Sequence, residues 1–154
     1  MRFILTVLLY AAAILIAPAH AMESDSPAPA AAKTDPDFAA GKKAVAARDW
    51  PRAITALTAA ARRDGSNADI QNLLGYAQRN SGNLDVALQH YEKALALDPK
   101  HRGAREYLGE LYLMQNNLAK AEEQRAALDS LCFFPCEELT ELREKIAAYR
   151  KRAR

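Results

Sequence analysis

Between Ala68 and His101 the apolar residues recur three and four positions apart, in two runs. The first holds Ile70, Leu73, Leu74 and Ala77; the second holds Leu84, Ala87, Leu88, Tyr91, Leu95 and Leu97. That spacing belongs to helices with one buried face. Gly82 closes the first run and Asp98-Pro99 the second, so the stretch predicts two helices joined by a tight turn. The pattern recurs in both directions at a step of 34 residues: Gly41, Gly75 and Gly109 are in phase, and so are Ala53, Ala87 and Ala121. Ala40, Leu74 and Leu108 precede the glycines, while Asp49, Asn83 and Asn117 stand as second-helix caps before Trp50, Leu84 and Leu118. Helix pairs at a fixed period of this length predict a stacked solenoid. Small residues at the phased positions let helices approach closely, and a bulky side chain at Ala87 would overpack the contact by about 1–3 kcal/mol. No repeat buries its apolar face alone, so neighbours share stability.

Punctuation sets the register. Asp35-Pro36 offers a cap and first-turn proline, Asp49 with Pro51 does the same, and Ser66-x-x-Asp69 fits a capping box. The predicted helices are 36–47, 50–63, 68–81, 84–97, 102–115, 118–131 and 137–150. After Leu131 the phase is lost in Cys132-Phe133-Phe134-Pro135-Cys136. A last helix follows, with Leu139, Leu142, Ile146 and Tyr149 on one stripe and polar residues elsewhere, the pattern of a terminal helix that closes a repeat stack. Glu137 and Glu138 in its first turn and Arg150, Lys151 and Arg152 in its last complement the helix dipole. Phe133 and Phe134 are expected to plug the open end of the stack.

With Leu74, Gly75, Ala87, Tyr91, Ala94 and Pro99 in its L-G…A…Y…A…P positions, the middle unit resembles the tetratricopeptide repeat. The outer units depart from it: Leu57 and Arg125 take the aromatic position, Gly65 replaces the proline of the first, and Asp37, Gln71 and Arg105 replace the early tryptophan. The resemblance implies an all-α, right-handed α-solenoid of about seven helices, with repeats near 34–67, 68–101 and 102–131 and a capping helix at 137–150. It also implies a groove lined by the first helices that binds a peptide or partner helix. Carried over, the groove positions are Lys42 and Val45; Asn72, Tyr76, Arg79 and Asn80; and Glu106, Glu110, Leu113 and Met114. Tyr76 and Met114 also fit a role as packing residues. The family's carboxylate-clamp positions hold Phe38, Leu73, Gly103 and Tyr107, which excludes that subclass.

The first 21 residues read differently. Arg2, the apolar run Phe3–Ala17 and the small residues around His20 in Ala19-His20-Ala21 fit a secretory signal cleaved near Ala21, with an uncleaved anchor as the alternative. Membrane contact is expected only in that second case. Residues 22–34, rich in Ala, Pro and Ser, read as a disordered linker, leaving 35–150 as the repeat domain and 151–154 as a basic tail. The mature chain is then expected outside the cytoplasm, in the periplasm or an equivalent exported compartment, and monomeric. Its formal charge of +2 falls to +1 without Arg2, too close to neutral for a nucleic-acid binder.

Chemistry is confined to the two cysteines. In an oxidising compartment Cys132 and Cys136, four positions apart around Pro135, are expected to form a disulfide that fixes the angle of the last helix. The other reading is a thiol-redox or copper-handling pair, for which Met114, His101 and His90 are the candidate further ligands. Zinc is disfavoured because four ligands cannot be assembled locally. No phosphate loop, H-E-x-x-H or nucleophile elbow occurs, so no enzyme, cofactor or metal is expected. The expected function is a non-enzymatic protein–protein interaction module, a scaffold or assembly factor of a cell-envelope complex. The basic tail could add contact with anionic lipid or an acidic partner.

Overall fold

In the computed structural model, residues 35–152 are described; the expected signal segment, its cleavage point, the linker and the last two residues of the basic tail lie outside them. Seven helices follow one another: α1 (Pro36–Ala46), α2 (Trp50–Arg63), α3 (Ala68–Asn80), α4 (Leu84–Leu97), α5 (Arg102–Met114), α6 (Leu118–Leu131) and α7 (Glu137–Arg152). They form an all-α helical-repeat solenoid in which α1/α2, α3/α4 and α5/α6 are hairpins and each pair packs on the next. α7 lies against both α5 and α6. None of the described helices is long and apolar enough to cross a membrane.

Local chemistry explains the helix starts. The Asp35 carboxylate accepts from the Asp37 and Phe38 amides, Asp49 from Arg52 and Asn117 from Lys120, each satisfying an orphan first-turn donor. Two expected caps are corrected. α3 is capped by Asn67, which accepts from the Ile70 amide, and not by a Ser66–Asp69 box, because the Ser66 hydroxyl is turned back to Asp64. Asn83 makes no side-chain cap, since its amide donates to Gln78 instead.

The turns inside the three hairpins share one backbone requirement. Arg48, Gly82 and Asn116 stand 34 residues apart and have φ of 56°, 84° and 58°. Glycine adopts this left-handed state freely, whereas a residue with a Cβ is strained there.

Two core clusters run through the stack. Ala44, Ala53, Leu57, Ala60, Ile70, Leu74 and Ala77 form the first; Tyr91, Leu108, Leu111, Leu128, Leu139, Leu142 and Ile146 belong to the second. The phased glycines are the points of closest approach. A Cβ on Gly41 would sit 2.6 Å from Leu57, and one on Gly75 would sit 2.6 Å from the Tyr91 ring. In the third hairpin the equivalent filler would be Arg125, but that side chain is ion-paired to Glu122. Leu142 of α7 fills the space, 2.7 Å from where a Gly109 Cβ would be. The last helix thus supplies the apolar knob that its repeat lacks.

Phe133 and Phe134 do not plug the stack. They are 97% and 84% exposed, because the Cys132–Cys136 bond closes the segment into a tight loop that holds both rings outward. Leu139, Leu142 and Ile146 bury the end of the core instead.

Candidate partner-binding groove

The residues that carry the site sit where helical periodicity puts them. On α3, Asn72, Tyr76, Arg79 and Asn80 are three and four positions apart and share one face; on α5, Glu106, Glu110, Leu113 and Met114 do the same. A ladder of aromatic rings connects the helices. Trp50 meets Tyr76 edge-on at 5.8 Å between centroids, and Tyr76 lies 4.8 Å from Tyr107. The Arg79 guanidinium stands over both tyrosines, at 5.3 and 5.4 Å, and is ion-paired to Glu110.

Burial divides these residues into floor and rim. Arg79 is only 7% exposed and Glu106 4%, and Asn72 and Leu113 are also buried. Tyr76 is half-buried, while Lys42, Asn80 and Met114 are exposed. Val45 packs at the edge of the first core cluster, and the Lys42 ammonium sits over its helix neighbour Phe38 at 5.1 Å. The α3 and α5 positions therefore converge through the Arg79–Glu110 ion pair, whereas neither Lys42 nor Val45 shares a side-chain hydrogen bond or ion pair with them among the described residues. Asn80 is turned back onto its own helix, donating to the Tyr76 carbonyl at 2.8 Å.

The floor is electrostatically strained. Asn72 Oδ1, Arg79 Nε and Glu106 Oε1 are buried without a hydrogen-bond partner, unusual for groups that cost free energy when left unpaired. Burial pushes the Glu106 carboxyl up to about 8, helped by a hydrogen bond with Glu141 and by the charges of Glu141, Glu110 and Glu138. Burial and the surrounding charges likewise raise Tyr107 to about 12. For Arg79, burial opposes the charged form, but Tyr91 and Glu110 outweigh it and the guanidinium stays protonated.

Glu106, Glu110 and Glu141 bring carboxylate oxygens within 4.8 Å of one another, the spacing of an oxygen-only cation site. Here the protein offsets the trio's charge itself: Arg79 and Lys145 serve Glu110, and burial raises the Glu106 carboxyl towards its neutral form. Apart from the exposed Met114, the candidate copper ligands are engaged elsewhere. The Cys132 and Cys136 sulfurs are bonded to each other. His101 caps α5 through Nδ1, which accepts from the Ala104 amide, so its Nε2 carries the proton shared with Asp69. His90 bonds Gln71, and burial and the Lys93 charge lower its pKa.

The sequence reading did not anticipate what α7 adds. A trough of about 870 Å³ runs between α5 and α7, lined by Leu113 and Met114 on one side and Lys145, Tyr149 and Arg152 on the other. The signal was present: Glu141, Lys145, Ala148 and Arg152 recur at helical spacing beside the apolar Leu142–Ile146–Tyr149 stripe. Tyr107, which the sequence pattern places only at a clamp position, packs on Tyr76 as the α5 end of the aromatic ladder.

Residues 38–102 and 79–129 match two tetratricopeptide-repeat family profiles, which between them span well over half of the chain. The cellulose synthase 1 operon protein C of Komagataeibacter xylinus is 32% identical over 97 residues, 63% of this chain but only 7% of that protein's length. Among solved structures, the TPR2B domain of yeast Sti1 in its pHsp70 complex superposes with a TM-score of 0.69 at 19% identity, over 75% of this chain and 94% of that one. The Yersinia enterocolitica type III secretion chaperone SycD, in complex with a peptide of the translocator YopD, gives 0.67 at 19% identity, covering 77% and 92%. At these identities the structural likenesses speak to the fold.

Proposed function

The chain belongs to the tetratricopeptide-repeat family, and from that premise we propose that its first-helix face grips a segment of a protein partner in the cell envelope, making it a scaffold or assembly factor there. Protein–protein interaction is the general business of this fold, and two neighbours are seen in complexes, SycD with a peptide of YopD and the Sti1 TPR2B domain with pHsp70. The observation that carries the reading is the Trp50–Tyr76–Tyr107 ladder with Arg79 held across it. Aromatic and arginine side chains of this kind anchor interfaces, and here they are fixed before a partner arrives, which lowers the entropic cost of binding.

The envelope setting is supported by the signal-like first 21 residues and by the operon protein C relative, of which this chain matches a small part. A disulfide between Cys132 and Cys136 suits the same compartment. The test is capture from an envelope extract on the immobilised chain. Wild type should retain a discrete partner that Tyr76→Ala and Met114→Asp lose while their circular dichroism stays native. Retention by both folded variants would refute the groove.

A further inference from the structure

We infer that the trough between α5 and α7 extends the first-helix groove into a subsite for a large apolar side chain of the partner flanked by carboxylates. This rests on the first-helix face being the binding face, but it assigns a chemistry and a set of residues that the repeat pattern does not. The floor is apolar: Leu113, Met114, Ala148 and Tyr149 line it, and Met114 is 53% exposed, an unbranched thioether that can adapt to a docking side chain. The rim is cationic, from Lys145, Lys151 and Arg152.

Charge decides the partner class. Among the described residues Glu110 is the trough's sole acidic lining residue, and it is already held by Arg79 and lies 3.7 Å from the Lys145 ammonium. Lys151 and Arg152 make no ion pair with any described carboxylate, whereas Arg150, between Tyr149 and Lys151, is tied to Glu122 at 2.7 Å. The free positive charge therefore gathers on the trough and not on the back of α7. An apolar floor under an uncompensated basic rim disfavours a basic or purely polar segment and favours an acid-flanked apolar one. The position is independent of the clamp of related folds, because every rim cation comes from the closing helix α7 and none from a first helix of the three hairpins.

A peptide-display selection reads this directly. Random twelve-residue peptides are panned on the purified full chain, and the recovered peptides are measured by fluorescence anisotropy against wild type, Lys151→Glu/Arg152→Glu, Met114→Asp and Tyr76→Ala. Recovered peptides should share a Leu, Phe, Met or Trp next to Asp or Glu. Their affinity should fall about tenfold or more on Lys151→Glu/Arg152→Glu, and severalfold between low and high salt. Exchanging the peptide's Asp and Glu for Asn and Gln should reproduce the loss on wild type and leave the charge-reversed variant indifferent. Peptides of other chemistry, or acidic peptides bound equally well by the charge-reversed variant but lost on Tyr76→Ala, would overturn the subsite and keep the first-helix face. Aromatic peptides without acids, together with concentration-dependent self-association of the wild type, would instead point to the Phe133-Phe134 loop of a second copy as occupant and overturn the assignment. No enrichment at all would remove both readings.

Discussion

Single residues in this chain carry requirements that neighbours cannot relax. Arg48 occupies the left-handed turn position that glycine takes at Gly82, so Arg48→Gly should stabilise the domain by about 1 kcal/mol, read from urea unfolding midpoints. Glu106 makes a sharper case. Its carboxyl is raised from an ordinary 4.5 to about 8, so between those values the folded chain holds a proton that the unfolded chain has lost. Stability must then fall as pH rises through that window and level off above it. Glu106→Gln cannot ionise, so the gap between wild-type and variant stability should widen in the variant's favour from about pH 5 to 8. A constant gap would mean that Glu106 titrates normally. Arg79 departs from what position alone suggests. Read from the sequence it is a surface groove residue, but with 7% exposure and Glu110 depending on it, Arg79→Ala should cost about 3 kcal/mol or more as well as binding. Periodicity reports which face a residue is on, not how deep the neighbouring helices bury it.

At the scale of helices, the number and order of elements were legible because glycine, alanine and cap residues repeat every 34 positions, and all seven predicted helices are present within two residues at each end. What the pattern could not give is how α7 seats. Nothing in Leu142 announces that it fills the Gly109 space left by Arg125, since the contact joins residues 33 apart that lie outside the repeat phase. Leu142→Ala should therefore act like a core truncation, losing about 2–5 kcal/mol and loosening α7 first, with faster hydrogen exchange in residues 137–152 than in α3 and α4. The Phe133-Phe134 loop was misread for a similar reason: hydrophobicity argued for burial, but closure by Cys132–Cys136 turns both rings to solvent. A Cys132→Ser/Cys136→Ser chain should lose only about 1–3 kcal/mol, because the closed loop is short, and should keep its groove. A copper- or thiol-based activity predicts the reverse, free thiols in the purified chain and lost activity with little change in stability.

For the molecule as a whole, the solenoid turns three local repeats and a closing helix into one surface on which residues from α3, α5 and α7 meet. The half of that surface on α3 and α5 could be carried over from repeat position; the α7 half could not, because a closing helix has no repeat partner from which to infer its facing. The central claim is that this surface, and not the opposite one, is where a partner sits. The most direct measurement is site-specific photo-crosslinking in cells that express the full chain, with the photoreactive residue placed at Met114 on the trough or at Val86 on the exposed side of α4. Both positions are solvent-exposed, so neither substitution should disturb the core. A discrete protein adduct is expected from position 114, lost when Lys151→Glu/Arg152→Glu is introduced, and none from position 86. An adduct from position 86 with none from position 114 would contradict the claim.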